Sequence, residues 1–290
     1  MTQCDWTTGC NLKRRCVRCK DLGELGGKVA IVTGAGRLRG IGRATAVAMA
    51  RLGANVVITG TGRDPETYPD DEKAAGWKDI ESVAEQVEAQ GCQALPLIVD
   101  VSDPQQVQFM VDQTVSEFHR IDILVNNAAF GMLPALAPIV DLTPEMFQKV
   151  MDVKVTGTYL CSQAVLRQMI SRDQGGKIIN ISSVAGKRGG PNTLAYNAAC
   201  FAVIGMTQSM AREVGSHNIN VNCVCPGTTA TSRTDFYTSE IWEQRAAATA
   251  IGRNGTDDEV GEFITYLCTE AASWITGQSI NINGGSFMEH

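Results

Sequence analysis

No stretch of about 18 consecutive apolar residues occurs in the 290-residue chain, so the sequence offers no transmembrane helix. Neither charge is in large excess. The chain carries 25 Lys and Arg among 31 Asp and Glu, for a net charge of −6, which argues against nucleic acid or an anionic membrane as the main partner. The basic segment NLKRRCVRCK near the N-terminus is not followed by an apolar stretch, so no secretory signal is expected. No internal repeat or low-complexity linker divides the chain. These absences leave a cytoplasmic protein that handles a small molecule as the expectation.

What is present is enough apolar material for a full core. Hydrophobic residues make up 44% of the chain, and its length suits one large α/β domain. The ten cysteines fall into two groups. Cys92, Cys161, Cys200, Cys223, Cys225 and Cys268 lie in apolar segments and read as small core residues in a reducing compartment. Cys4, Cys10, Cys16 and Cys19 crowd the first 20 residues. Their C-x5-C and C-x-x-C spacings lack a surrounding globular unit, so no metal is expected, and residues 1–25 read as a cysteine-rich tail on a domain spanning 26–290.

From Lys28 onward, strand-like and helix-like patterns alternate. KVAIVT, NVVIT, ALPLIVD, IDILVNN, KIINIS, INVNCVCPG and QSININGG are apolar runs of strand length, the kind buried on both faces of a parallel sheet. Helical spacing appears between them, with Gly53 and Gly91 closing two of the helices. About seven strands with intervening helices predict a Rossmann-like, doubly wound α/β domain. Two segments break the pattern. Residues 61–77 form a polar stretch longer than a βα connection needs, read as a loop. Residues 228–252 carry Phe236, Tyr237 and Trp242, and read either as a lid over a pocket or as a surface helix pair.

TGAGRLRGIG lies between the first strand and the first helix. Glycines there let the backbone approach a pyrophosphate, and the helix N-terminus offers free N–H groups and the positive end of its dipole. Further on come DVSD from Asp100, NNAA from Asn126, and Ser183 with Tyr196 thirteen residues later. PGTTAT from Pro226 and a closing ITGQSININGG complete the series. In this order the motifs resemble the short-chain dehydrogenase/reductase family, near its 3-oxoacyl-carrier-protein-reductase-like branch. The resemblance runs from about Gly26 to Gly285, with two extra residues in the glycine loop.

That resemblance implies oxidoreduction of a carbonyl or alcohol with a nicotinamide cofactor, in a homodimer or homotetramer. It implies cofactor contacts from Gly34, Gly40, Ile41 and Gly42, from Asp100 and Val101 beside the adenine, and from Asn127 and Ala128. Tyr196 and the segment of Pro226, Gly227, Thr229 and Thr231 would lie beside the nicotinamide. Gly60 stands where an acidic residue would bond the ribose of NAD, while Arg37, Arg39 and Arg63 lie close in sequence. Arginine pairs with phosphate through a fork of donors, so NADP is expected, with NAD as the alternative.

Tyr196 would give a proton to the carbonyl oxygen and Ser183 would hold that oxygen. The family places a lysine four residues after the tyrosine, and here that position is Cys200. Where the family has a relay asparagine, this chain has Lys154. Three readings stay open. Lys154 supplies the missing cation as a third catalytic residue; or the site does lyase, dehydratase or isomerase chemistry, or only binds nucleotide; or both changes are neutral or damaging in a weakly active enzyme. A reductive step suffers least, because a neutral tyrosine is already a proton donor near pH 7.

Overall fold

A computed structural model of the chain describes residues 23–131 and 133–289. The expected cysteine-rich tail, with Cys4, Cys10, Cys16 and Cys19, lies almost wholly outside the described residues.

In chain order the strands and helices begin β1 (Val29–Val32), α1 (Ile41–Arg51), β2 (Asn55–Gly60), α2 (Asp70–Ala74), α3 (Ile80–Glu88), β3 (Ala94–Ile98) and α4 (Pro104–Phe118). They continue with β4 (Ile123–Asn126), α5 (Pro144–Met151), α6 (Gly157–Arg172), β5 (Gly176–Ile181), α7 (Leu194–Val214) and β6 (Ile219–Pro226). The last are β7 (Thr229–Ala230), α8 (Ser239–Ala247), β8 (Gly255–Thr256), α9 (Asp257–Leu267) and β9 (Ser279–Ile282). Seven strands form one parallel sheet in the order β3-β2-β1-β4-β5-β6-β9.

Alternation along each strand explains why the apolar runs are unbroken. Val29 and Ile31 of β1 pack on the side covered by α4 and α6, with Met110, Val165 and Met169. Ala30 and Val32 pack on the other side, against Met49, Val83 and Ile264 of α1, α3 and α9. Each such branched side chain, fully removed from water, contributes roughly 1.5–3 kcal/mol. The chain order reverses between β1 and β4. In sheets of this kind, ligands bind in the crevice beyond the C-terminal strand ends at such a switch point.

The two irregular segments are more ordered than the sequence suggests. Residues 61–77 are not a plain loop: they contain a 3₁₀ turn at Pro65–Thr67 and the short helix α2. An internal ion cluster orders them. Buried Glu72 accepts from Arg63 at 2.7 Å, and Arg63 also bonds Asp79 at 2.9 Å while its guanidinium covers the Tyr68 ring at 4.6 Å. Residues 231–254 rise from a small ribbon in which β7 pairs with β8, so both ends of the segment are fixed at one point.

The long helical region around residue 150 also holds a surprise. Between α5 and α6, residues Asp152–Thr156 form a π-helical turn. Such turns add one residue to the helix and re-aim a side chain, often at a functional site. Lys154 sits on this turn and is buried, 4% exposed.

Candidate active site

One cleft of about 930 Å³ opens over the C-terminal ends of the strands. Most residues singled out in the sequence line it: Gly34, Gly40, Ile41 and Gly42 of the glycine loop, Arg37, Arg39, Arg63, Asp100, Val101, Asn127, Ala128, Lys154, Ser183, Tyr196, Pro226, Gly227, Thr229 and Thr231, whereas Cys200 is fully buried behind it.

The glycines are required by contact as well as by conformation. Gly34 has φ +65°, and a Cβ there would lie 2.7 Å from the Ala128 Cα. At Gly42 a Cβ would lie 2.6 Å from Asn127 Nδ2 and 2.8 Å from the Ala35 Cα. Thr33 Oγ1 accepts from the amides of Asn127 and Ala128 at 3.1 Å each, locking the first strand's exit to the turn after β4. The Gly40 amide at the start of α1 donates to Asp257 Oδ2 at 2.9 Å, and among the described residues no side chain bonds the amides of the first turn that follow. A close-approach backbone beside free first-turn amides is what a dinucleotide's pyrophosphate needs. The residues present therefore fit a nicotinamide dinucleotide.

The arginines nearby are not equivalent. Arg39 donates to Asp71 at 2.6 Å and, with both terminal nitrogens, to Asp235 at 2.9 and 2.8 Å. Arg63 is committed to Glu72, Asp79 and the Gly36 carbonyl. Among the described residues, Arg37 makes no hydrogen bond or ion pair of this kind, although the Glu72 and Asp79 charges lie near it. Burial, together with the nearby Arg63 charge, pushes its pKa down, so an anion placed there would relieve it. Sequence reasoning missed Asp79, which presents its carboxylate to Gly36 and Arg63 from the start of α3. Its one signal was an acidic residue just ahead of an amphipathic run.

Around the expected chemistry, Ser183 leaves β5 in extended conformation, its Oγ accepting from the Ala185 amide at 3.1 Å. The Tyr196 hydroxyl, near the start of α7, faces the side chains of Ser183 and Cys200. Burial and the Cys200 thiol push the tyrosine pKa above its ordinary range, outweighing the opposite pull of Arg233 and Ser183. The phenol is therefore protonated at neutral pH. Lys154 Nζ donates to the Ile181 carbonyl at 2.5 Å, among the thiols of Cys200, Cys223 and Cys225. Burial lowers the lysine's pKa and raises that of Cys200.

The segment after β6 covers the cleft, and Phe236 and Tyr237 line it, packed edge to face with ring centroids 4.6 Å apart. The segment also brings in a cation that motif reading did not find. The Arg233 guanidinium lies 5.7 Å from the centroid of the Tyr196 ring.

A parallel sheet whose crevice joins a glycine loop to a serine and a tyrosine is an α/β arrangement suited to binding a dinucleotide. The family model described as enoyl-(acyl carrier protein) reductase matches residues 34–286. A 3-oxoacyl-[acyl-carrier-protein] reductase from Staphylococcus aureus is 36% identical over 261 residues, covering 90% of this chain and 98% of that one. The short chain dehydrogenase/reductase astE of Aspergillus oryzae is 38% identical over 266 residues, covering 90% and 95%. Among solved structures, a Serratia marcescens short-chain dehydrogenase/reductase mutant superposes with a TM-score of 0.79 at 33% identity, covering 91% and 99%. The chain belongs to the short-chain dehydrogenase/reductase family of oxidoreductases, and is similar to its 3-oxoacyl-carrier-protein reductases.

Proposed function

We propose that this protein is an NADP(H)-dependent reductase of a small carbonyl substrate, with Tyr196 as the proton donor. The observation that carries this reading is that Tyr196 and Ser183 line one cleft together with the glycine loop.

When bound, NADPH would supply a hydride to the carbonyl carbon. The electron pair of the C=O π bond then moves onto oxygen, and Tyr196 passes its proton to that oxygen. Ser183 Oγ holds the oxygen in line while negative charge develops there. The tyrosine left as phenolate is reprotonated from solvent. Lys154, at the place of a relay residue, and Arg233, over the ring, are the cations available to steady that transient charge. Neither is needed to create the proton donor, because a tyrosine is neutral near pH 7 at its ordinary pKa. This is why a site without the usual lysine suits reduction better than oxidation.

For the dinucleotide, the glycine loop and the start of α1 would take the pyrophosphate, while Asp100 and Val101 would flank the adenine. Arg37 supports the choice of NADP, since Arg39 and Arg63 are held by carboxylates.

Fluorescence titration with NADPH and NADH, followed by hydride transfer to a panel of ketones and aldehydes, tests the reading. Tight NADPH binding with turnover on at least one carbonyl supports it. Absence of binding to either dinucleotide overturns it. NADPH binding with no transfer to any carbonyl would favour a non-redox use of the site.

A further inference from the structure

We propose that Arg233 is the anion-receiving residue of the substrate site, so that the preferred substrate is a carbonyl compound carrying a carboxylate. The inference rests on the proposed reduction at Tyr196 and adds the substrate's chemical class.

Three observations converge on Arg233. Its guanidinium lies over the Tyr196 ring, 5.7 Å from the centroid, in the cleft that both residues line. One terminal nitrogen, Nη2, is buried without a hydrogen-bond partner among the described residues. A guanidinium nitrogen removed from water and left unpaired is costly, and an arriving carboxylate would remove that cost. The residue's position is also fixed from both sides. The Ser232 amide donates to the Arg39 carbonyl at 3.0 Å, and Asp235 grips the Arg39 side chain. Arg233 sits between these anchors on a tight turn closed by Thr234 Oγ1, which donates to the Thr231 carbonyl at 2.8 Å.

The surrounding charge selects for an anion. Lys154 and Arg37 add positive charge to the same cleft. The carboxylates that line it, Asp79 and Asp100, are engaged with Arg63 and Ser102. Asp235, two residues from Arg233, is taken by Arg39. A net-negative protein thus concentrates free positive charge where the substrate enters, which raises the local concentration of anions. Guanidinium and carboxylate match as a planar, two-point pair, so the anion also sets the carbonyl's orientation toward Tyr196.

An anion at Arg233 has two sources, the substrate's carboxylate or the cofactor's pyrophosphate. The turn that carries Arg233 is bonded to Arg39 of the glycine loop, while the guanidinium itself lies over the Tyr196 ring, beside the proposed proton donor, which favours the substrate. The test compares 4-oxopentanoate and pyruvate with their methyl esters as substrates of the wild type, Arg233→Met and Arg233→Lys. NADPH affinity is measured by fluorescence, and butanoate, which cannot be reduced, is titrated calorimetrically into each protein. The wild type should prefer the acids. Arg233→Met should lower the acid-to-ester ratio of kcat/KM about tenfold or more, with Arg233→Lys recovering part of it. Butanoate binding should be lost in Arg233→Met while NADPH affinity holds. If Arg233→Met weakens NADPH binding and leaves the acid-to-ester ratio alone, the anion is the cofactor's and the inference is overturned. If wild type reduces esters as well as acids, the inference fails while the reductase reading stands. If no carbonyl is reduced, the reductase reading fails, and butanoate binding that ignores Arg233 removes the anion site as well.

Discussion

Arg39 of the glycine loop and Asp235 of the segment over the cleft are joined by two parallel hydrogen bonds of 2.9 and 2.8 Å. A third bond from the same guanidinium reaches Asp71, in the stretch between β2 and α3. One side chain therefore ties together the three segments that frame the cofactor end of the cleft. All three partners are more than a third exposed, so the net contribution to global stability is small, under about 1 kcal/mol. Asp235→Asn should shift the melting temperature by no more than a few degrees. It should raise the substrate KM several-fold and blunt that constant's dependence on salt. Steady-state kinetics at low and high NaCl, with a thermal melt, check this; an unchanged KM and salt profile would count against a latch.

Tyr196→Phe removes the proton donor and keeps the ring beneath Arg233. Reductive kcat should fall by roughly 10²–10⁴, with NADPH affinity retained. The pH dependence follows from the sign of the shift. Burial, and then the Cys200 thiol, raise the phenol's pKa, so the proton stays bound through neutrality. Reduction by the wild type should be flat from about pH 6 to 9, whereas alcohol oxidation, which needs the phenolate, should keep rising across that range. A reductive rate that already falls near pH 8 would show that the phenol is not held protonated.

Lys154 and Cys200 are neighbours, so a lysine restored at 200 meets an ammonium already in place. Cys200→Lys alone should destabilise the fold by roughly 2 kcal/mol or more, through like charge in a buried site. Adding Lys154→Asn should recover most of that loss. A double-mutant cycle in urea, with turnover measured on each protein, gives the coupling; additive effects would show that the two side chains do not interact.

Lys154 also predicts a linkage. Burial lowers its pKa relative to the unfolded chain, so the unfolded state binds more protons between the two values. Stability attributable to this group is therefore lowest below the folded pKa and recovers as pH rises toward the ordinary lysine value of about 10.4. The stability gained in Lys154→Met should accordingly shrink as pH rises toward about 10, as urea midpoints measured from neutral to alkaline pH would show.

Arg37 is the arginine of the glycine loop that, among the described residues, is in no ion pair. Arg37→Ala should weaken NADPH binding about tenfold or more while changing NADH binding by no more than about threefold. Equal losses for the two dinucleotides would place the 2′-phosphate elsewhere.

Much of this molecule was legible in its residues. The seven strand runs, the glycine loop, the turn after β4 and the Ser183–Tyr196 spacing are local patterns, and local patterns follow from backbone geometry and period. α4 could be read to the residue because Asp103 caps it, Pro104 opens it and Phe118 ends its apolar face. Residues 61–77 were opaque for the opposite reason. Their order comes from Arg63 meeting Glu72 and Asp79, charges that signal solvent when read singly and structure only when paired. Arg233 was invisible on the same ground, since nothing between Thr231 and Asp235 has helical or strand period.

By itself the sequence determined the strand runs, the glycine loop and the spacing of Ser183 and Tyr196, because each depends on residues close together in the chain. It also showed that the expected lysine is absent. Which cations stand in the space around Tyr196 was decided only by the tertiary structure. A π-helical turn carries Lys154 inward beside Cys200, and a turn pinned to Arg39 swings Arg233 over the ring. Both placements depend on contacts between segments far apart in the chain, and no local period encodes such contacts.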